Sequence, residues 1–388
     1  METDVIVIGA GPAGLSFARS TSDTGLDVTV IEKSAESTIA NPAIDGRDIA
    51  LTHPSVNILK NIGAWPRIPG QGISPVSEAR VMDGDSPYCL GFDTAMADRD
   101  VLGFIVSNHL IRKALYEEVK SVSNVHIIPG SSVTSVSTNN DRAVVVMSSG
   151  RSIQAPLLVS ADSRFSETRR MMGISASMRD FGRVMIVCQM EHELPHNKVA
   201  HECFLYDSTL AVLPLSDNRS SIILTVPTNK AKEKLEMPEQ NFNDAIQNLF
   251  HHRLGKMTLV GKRYSYPLIG VYADSFVATR FALIGDAAVG MHPVTAHGFN
   301  LGLQGQDSLC RAISTALIRG SDIASRRVLR KYQRQHERTA RPLYLGTNAV
   351  VRLYNSDDFP ARIMRKAILR LGNHLTPLNR RIVHQLTG

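Results

Sequence analysis

Three glycines near the amino terminus have the spacing of a dinucleotide-binding turn. Gly9, Gly11 and Gly14 form GAGPAG, which follows the short apolar run DVIVI and opens a stretch with helical periodicity. In such a turn the first glycine permits a tight bend, the second lets a pyrophosphate approach the backbone, and the third lets helix and strand pack closely. The helix N-terminus then offers free N–H groups to the phosphates. We therefore predict that these glycines, with Pro12 and Ala13, bind a dinucleotide.

A carboxylate lies at the end of the next predicted strand. Glu32 closes DVTVIE, 18 residues after Gly14, and Lys33 follows it. A carboxylate in this position accepts hydrogen bonds from ribose hydroxyls and would repel a 2′-phosphate. We expect Glu32 and Lys33 to lie at the cofactor, and NADP is disfavoured at this site.

A second segment, RFALIGDAAVGMHPVTAHGFNLGLQGQDSL at 280–309, resembles the FAD-ribityl motif of the group A flavin monooxygenases, the para-hydroxybenzoate hydroxylase-like family. The resemblance implies that Asp286 accepts hydrogen bonds from the ribityl hydroxyls of FAD. It also implies that the following loop passes the isoalloxazine ring and starts a helix, whose N–H groups support negative charge on the reduced flavin. The residues that it places at the flavin are Gly285, Asp286, Pro293, Gly298, Asn300 and Leu301.

A third segment, SADSRFSETRR at 160–170, resembles the family's Asp-Gly motif, usually Ala-Asp-Gly-x-x-Ser-x-x-Arg. Asp162, Ser166 and Arg169 match that motif, and Asp162 is expected at the cofactor. Ser163 stands where the family has glycine. If the glycine supplies a turn with positive φ, we expect a strained backbone at Ser163. The departure bears on the motif's part in NAD(P)H handling more than on FAD binding.

The resemblance covers nearly the whole chain and is weakest between residues 173 and 276. It implies that Arg47 faces the flavin and that Asn108 and Arg112 contact the FAD phosphates. GRDIALTHPS, HPVTAHGFNLGL and the basic tail are most similar to the ubiquinone-biosynthesis hydroxylases. Those proteins usually carry glutamine before the glycine of the flavin loop, where this chain has His297.

The resemblance implies an FAD-dependent monooxygenase that uses NAD(P)H and O2. A flavin hydroperoxide would hydroxylate the ring of a polyprenylated phenol or quinol intermediate in ubiquinone biosynthesis. The sequence has one GxGxxG motif, so the nicotinamide would visit transiently. His292 and His297, with Pro293 in the flavin loop, are the catalytic candidates, because a histidine near the substrate hydroxyl can accept its proton at neutral pH. Alternatively, both histidines only pack or hydrogen-bond within the loop.

Three other functions share these motifs and stay open. They are hydroxylation of a soluble phenol, FAD-dependent reduction of a prenyl chain, and a catalytically silent FAD-binding protein. A flavin-dependent halogenase is disfavoured, because halogenases carry a paired-tryptophan motif and this chain has only Trp65.

The composition is that of a globular protein, with 43% hydrophobic and 20% charged residues. The four cysteines stand far apart without CxxC pairs, which predicts reduced thiols and no metal site. No run approaches the roughly 20 apolar residues that cross a bilayer, and the amino terminus lacks the basic residues of a signal peptide. We expect a cytoplasmic protein that binds no nucleic acid.

The net charge of +7 is concentrated at the carboxyl terminus. Residues 361–388 hold six basic residues and no acidic one. Within them, ARIMRKAILRLG at 361–372 has one apolar helical stripe surrounded by basic side chains, which fits an anionic membrane surface or a lipid-carrier protein. The other interpretation is a terminal helix packed on the protein with a solvated basic face.

These patterns predict an α/β fold with a Rossmann-like FAD-binding domain, an inserted and mostly antiparallel substrate domain, and a C-terminal helical tail. The FAD-binding domain is predicted to be discontinuous, and the stretch from 125 to 162 to be a meander of strands. The expected boundaries are 1–75, 98–172 and 277–345 for FAD binding, 76–97 and 173–276 for the substrate sheet, and 346–388 for the tail.

Overall fold

The computed structural model of the protein describes residues 2–84, 89–97, 99–205, 207–293 and 297–355. In chain order the strands β1 to β20 are Val5–Ile8, Val28–Ile31, Asp48–Leu51, Ile73–Val76, Glu78–Asp83, Cys89–Asp93, Gly103–Ser107, Val125–Ile128, Val133–Thr138, Ala143–Met147, Ser152–Ala155, Leu157–Ser160, Ala176–His192, Val199–Phe204, Thr209–Pro214, Arg219–Pro227, Met257–Ala273, Val277–Ala278, Phe281–Leu283 and Val289–Gly290. The helices α1 to α10 are Pro12–Ser22, Glu36–Ala40, His53–Asn61, Thr94–Ala97, Asn108–Lys120, Glu167–Met171, Thr228–Glu236, Glu239–Leu249, His297–Ile318 and Arg326–Asn355.

A parallel sheet brings the cofactor motifs together. Its strand order is β18-β19-β12-β1-β2-β8, and the neighbours β19, β12, β1, β2 and β8 all run parallel. Their residues are buried on both faces in β1, β2, β12 and β19, as continuous apolar runs predict. The carboxyl ends of parallel strands share one edge, so the segments after β1, β2, β12 and β19 meet there.

The prediction of one meander from 125 to 162 is wrong in part. Only β9, β10 and β11 form a separate antiparallel sheet. Strand β8 pairs with β2, and β12 pairs with β1, both in the parallel sheet. Four-residue apolar runs carry no periodicity that separates a parallel from an antiparallel strand, so the sequence does not show that these two strands leave the meander.

A second sheet has the order β20-β17-β13-β16-β15-β14-β5-β6. The strands of 78–93 join it, as the sequence suggested, through the parallel pair of β5 and β14. Helices α7 and α8 cover one face, where Phe242, Ile246 and Phe250 pack on the strands. Helix α7 was not predicted, because TNKAKEKLE is almost entirely polar. We propose the domain boundaries that the sequence predicts. Strand β20 belongs by sequence to the FAD-binding segment 277–345, but it pairs with β17 of this second sheet.

The opposite side of the second sheet, which we call the inner face, is covered by other elements. Strands β3, β7 and β4 form a small antiparallel sheet. It touches the inner face where the Gln189 amide of β13 donates to the Asp48 carboxylate of β3 at 3.3 Å. The large sheet is therefore enclosed on both sides.

Helices α9 and α10 pack on each other at the end of the described chain. Helix α10 continues to Asn355, so the predicted domain boundary at 346 falls inside a helix. The predicted amphipathic segment 361–372 lies outside the described residues. Within those residues, every helix is too short or too polar to cross a bilayer.

Candidate FAD site

The glycine turn after β1 leaves its middle residue uncovered by protein. Gly9 has a φ of 105°, and a Cβ there would lie 2.5 Å from the carbonyl oxygen of Ala161. A Cβ on Gly14 would lie 1.9 Å from the carbonyl oxygen of Gly9, so only glycine lets α1 start this close to β1. A Cβ on Gly11 would meet no protein atom within 4 Å. The turn thus has an open place at the start of α1, where a pyrophosphate fits.

The second flavin motif packs directly on this turn. Pro12 is the first residue of α1, where its missing N–H costs no hydrogen bond. Gly285 has a φ of 59°, and a Cβ there would lie 2.8 Å from the Cβ of Ala13. A Cβ on Gly302 of α9 would lie 3.4 Å from the Cα of Gly285. The two segments that the sequence assigned to opposite ends of FAD are therefore in contact.

Glu32 lies at the glycine turn, as its position after β2 predicted. One carboxylate oxygen accepts the Ala10 N–H at 2.8 Å, and the other accepts the Ser34 N–H at 2.8 Å. Each oxygen keeps a further lone pair for a ribose hydroxyl. Lys33 is exposed beside it. The structure thus gives the Glu32 carboxylate a fixed orientation at the glycine turn, and its contact with a ribose stays a prediction.

Asp286 has a cationic partner within the chain. Its carboxylate accepts a hydrogen bond from Arg164 at 3.0 Å, and the same guanidinium donates to the carbonyl oxygen of Ile269 at 3.2 Å. The Asp286 side chain is 39% exposed, so one side of the carboxylate stays open to a ribityl hydroxyl. Arg164 was not predicted as a site residue, because it occupies a variable position of the third motif.

The third motif holds the strained backbone that the sequence suggested. Ser163 has a φ of 139°, a conformation that favours glycine. Asp162 beside it accepts hydrogen bonds from the Ser160 hydroxyl at 2.6 Å and from the Thr168 hydroxyl at 3.0 Å. The Asp162 carboxylate therefore fixes the start of α6, and its predicted contact with the cofactor stays a prediction.

Arg169 ties this motif to the flavin motif. Its side chain is buried, and it donates to the carbonyl oxygen of Ala287 at 2.8 Å and to that of Arg164 at 3.3 Å. The Ser166 hydroxyl in turn accepts the Arg169 N–H at 2.9 Å and caps α6. One buried cation thus couples the position of Asp286 to that of α6.

Arg47 and Asn108 meet through a residue that the sequence did not single out. Asp45 accepts hydrogen bonds from the Arg47 guanidinium at 2.6 Å and from the Asn108 amide at 2.8 Å. These bonds hold the pKa of Asp45 below its usual value although burial opposes them. The Arg47 guanidinium lies 5.2 Å from the ring centre of Tyr266 on the inner face. Arg112 follows on α5 and is half-buried.

The flavin loop is described on both sides of residues 294–296. Before them, the His292 ring packs edge-on against Phe181 at 4.8 Å, and Pro293 is exposed. Burial, aided by the charge of Arg183, lowers the pKa of His292 to about 4. The ring is then neutral at pH 7 and a weak base, so a proton role for it gains no support from its surroundings. After the gap, His297 is the first residue of α9.

The side chain of Asn300 is used within the protein. Its amide oxygen accepts the Thr52 N–H at 3.0 Å, and its amide nitrogen donates to the Ala50 carbonyl at 2.8 Å. Asn300 thereby fastens the first turn of α9 to the end of β3. Leu301 is buried beside it, and among the described residues a Cβ on Gly298 would meet Met291 alone, at 3.9 Å. The first turn of α9 is thus held in place by Asn300.

Together these residues fit FAD. The glycine turn has open space at Gly11, the Glu32 carboxylate is oriented at that turn, and the Asp286 side chain is partly exposed. Arg47 lies over the Tyr266 ring of the inner face. The arrangement can hold a dinucleotide.

Comparisons with known proteins agree with this fit. The sequence pattern of the FAD binding domain family matches residues 2–345. Ubiquinone hydroxylase UbiM of Neisseria meningitidis is 44% identical, over 100% of this chain and 85% of that protein. Ubiquinone hydroxylase UbiL of Rhodospirillum rubrum is 30% identical, over 99% of this chain and 89% of its own. The crystal structure of p-nitrophenol 4-monooxygenase PnpA from Pseudomonas putida has the same fold, with a TM-score of 0.79, 18% identity, and coverage of 100% of this chain and 99% of that one.

Proposed function

This chain belongs to the FAD binding domain family of flavin-dependent monooxygenases, and from that membership we propose that it hydroxylates the aromatic ring of a polyprenylated phenol or quinol in ubiquinone biosynthesis. Its cofactor is FAD, with NAD(P)H as reductant and O2 as co-substrate. The similarity to two ubiquinone hydroxylases over almost the whole chain carries the choice of substrate.

Bound FAD supplies the two-electron chemistry that lets NAD(P)H and O2 react with a carbon of the ring. The chain itself binds and orients. Gly11 and the start of α1 receive the pyrophosphate, Glu32 receives the ribose, and Asp286 receives the ribityl chain. The buried Arg169 guanidinium donates to the Ala287 carbonyl oxygen and so holds the neighbouring Asp286 in a fixed position relative to α6.

The apolar side chains of the inner face are suited to an aromatic ring that carries a prenyl chain. Leu213 and Ile223 at the centre of this face are half-buried, and Tyr264 lies beside them across the sheet. Such a floor excludes water from the reacting ring and buries prenyl surface at about 25 cal/mol per Å².

The test is product formation by the purified holoprotein in 18O2. With NAD(P)H and a phenol carrying a prenyl chain, we expect a flavin spectrum that bleaches, and a hydroxylated product that contains one 18O atom. Extraction of the purified protein should also release a prenylated phenol. A colourless protein that takes up no FAD would contradict the proposal at its base.

The same experiment separates the alternatives. A hydroxylase of soluble phenols would label a phenol without a prenyl chain and leave the prenylated one unchanged. A prenyl reductase would consume NAD(P)H and saturate the chain without 18O in the product. A silent FAD-binding protein would not oxidise NAD(P)H faster with any of these compounds.

We also propose that the protein is cytoplasmic and binds peripherally to the inner face of the membrane, or to a lipid-carrier protein, from which it draws its substrate. The support within the described residues is α10. One side of this helix exposes seven basic residues between 326 and 341, and none of them forms a salt bridge with a described carboxylate. These are Arg326, Arg327, Arg330, Lys331, Arg334, Arg338 and Arg341. Basic side chains at an anionic leaflet contribute about 1 kcal/mol each.

Charge reversal on α10 tests membrane binding. The triple variant Arg330→Glu, Arg334→Glu, Arg338→Glu should bind vesicles containing one third phosphatidylglycerol at least tenfold more weakly than the wild type, because three attractive charges become repulsive. The measurement is flotation with vesicles at 0.1 M salt. The control reverses Lys60, Lys232 and Lys262, three exposed lysines on other surfaces, and should float like the wild type. Equal flotation of both triple variants would overturn membrane binding through α10, and a lipid-carrier protein would remain as the proposed partner.

A further inference from the structure

Glu202 is a carboxyl group on the inner face to which the cofactor site assigns no role. Glu202 lies in β14 between two side chains that face the helices. The His201 ring packs edge-on against Phe250 at 5.1 Å, and Cys203 belongs to the same helix-covered cluster. Because successive side chains of a strand point to opposite faces, Glu202 points to the inner face.

Strand register shows what shares that face with Glu202. Glu202 pairs with Ala211, Ala211 with Ile223, and Ile223 with Val187, on four adjacent strands. Three strand spacings separate Glu202 from Val187 by roughly 14 Å. A Cβ on Gly46 would lie 3.0 Å from the Val187 side chain, so the segment that carries the flavin-facing arginine rests on this end of the row. The width between them suits one substituted aromatic ring.

Partial exposure at the centre of an enclosed sheet indicates a cleft. Strands β15 and β16 are central in the sheet, helices cover their other face, and β4 packs on β15 from the inner side. Leu213 and Ile223 on these strands are nevertheless half-buried, and so is Glu202 beside them. Between Glu202 and Val187 the floor of this cleft carries the apolar side chains of Ala211, Leu213 and Ile223.

The Glu202 carboxyl has no hydrogen-bond or salt-bridge partner among the described residues. Burial alone raises its pKa to about 8. A carboxylate that is partly shielded from water and has no partner costs free energy, so a group that enters the cleft is the natural partner. Other ionisable groups lie in three places around Glu202. Its own face of the sheet carries Asp83, Tyr264 and Tyr266, and the segments packed on that face carry Asp45, Arg47, Asp48 and His109. The helix-covered face carries His201, Arg80, Arg253, Cys89 and Cys203.

We infer that Glu202 is a catalytic residue that accepts the proton of the substrate's ring hydroxyl during hydroxylation. The inference rests on the proposed function and names a base other than the two histidine candidates of the flavin loop. The O–H bond of the ring hydroxyl breaks, its proton goes to a Glu202 oxygen, and its electron pair enters the ring. That electron density forms the new C–O bond with one oxygen atom from O2 as the O–O bond breaks, and the ring carbon then loses its hydrogen as a proton. NAD(P)H supplies the two electrons, and the second oxygen atom leaves as water.

Turnover of Glu202→Gln is the first test, with the holoenzyme, NAD(P)H and a geranyl-substituted phenol. The wild-type rate of hydroxylation should rise with pH through a value near 8, because the carboxyl must be ionised to accept the proton. In the variant the rate should no longer rise with pH near 8, and it should be about 100-fold lower, which is the usual contribution of a general base. Its NAD(P)H should then yield hydrogen peroxide. The control Glu191→Gln removes an exposed carboxylate on β13 that pairs with Arg219, and should keep the wild-type profile.

A binding experiment separates this inference from the function itself. The probe is a geranyl-substituted nitrophenol, bound to oxidised holoenzyme without NAD(P)H and followed by its colour change on ionisation. Two ionisable groups in contact titrate in coupled steps. We expect two steps in the wild type and in Glu191→Gln, and one in Glu202→Gln. A single step in all three would overturn the contact whatever the turnover. Coupled steps without any hydroxylation would keep the contact and reject the hydroxylase.

Thermal unfolding supplies a third readout that damage to the fold would not imitate. In the unfolded chain Glu202 ionises at about 4.3. Between that pH and about 8 the folded protein holds the extra proton, so Glu202 lowers stability progressively as pH rises. Glu202→Gln should therefore melt at least 2 °C above the wild type at pH 9 and at the wild-type temperature at pH 4.5. A lower melting temperature at pH 9 would contradict the unpaired buried carboxyl on which the inference stands.

Discussion

Gly11→Val is expected to give a folded protein that has lost its FAD. Gly11 has a φ of −75°, which valine adopts readily, and a Cβ there meets no protein atom. The added methyl groups would instead occupy the place at the start of α1 that we assign to the pyrophosphate. We expect FAD bound per protein to fall at least tenfold, measured from the absorbance of the purified protein.

Two controls make this result specific. The apoprotein of Gly11→Val should melt close to that of the wild type, since valine instead of glycine before α1 costs only about 1 kcal/mol. Gly70→Val places the same side chain at another glycine where a Cβ would meet no described atom within 4 Å, in a segment to which we assign no cofactor contact, and should retain FAD. Full FAD content in Gly11→Val would show that the open place serves something other than the cofactor.

Arg169→Met is expected to weaken both the fold and the cofactor site. The buried guanidinium donates to the Ala287 and Arg164 carbonyl oxygens, and methionine fills its volume without a donor. Two buried carbonyls then lose a charged partner, which costs about 3 kcal/mol. We expect the melting temperature to fall by about 5 °C and FAD to bind more weakly, because Asp286 precedes Ala287 directly.

The neighbouring arginine is the matched control. Arg170 is 66% exposed, and its guanidinium comes no closer than 3.9 Å to the Glu167 carboxylate. Arg170→Met should therefore change the free energies of unfolding and of FAD binding by less than about 0.5 kcal/mol each. If the two methionine variants behave alike, the buried cation does not couple the motifs.

The sequence by itself determined the cofactor turn. Gly9, Gly11 and Gly14 act through their own backbone geometry and close approach, which local spacing already specifies. The strained turn at Ser163 followed from the same reasoning.

Only the tertiary structure decided the surroundings of the inner face. In AHECF the alternation around Glu202 is typical of a strand with one solvent-exposed face. The sequence of this strand does not show that other segments of the chain pack over that face. The partners of Arg169 and Asn300 lie more than a hundred residues away along the chain, so no window of sequence contains them. The same holds for β8 and β12, whose four-residue runs fit either kind of sheet. A local pattern fixes backbone geometry and periodicity, whereas burial, and with it the pKa of a carboxyl group, depends on which distant segments pack above it.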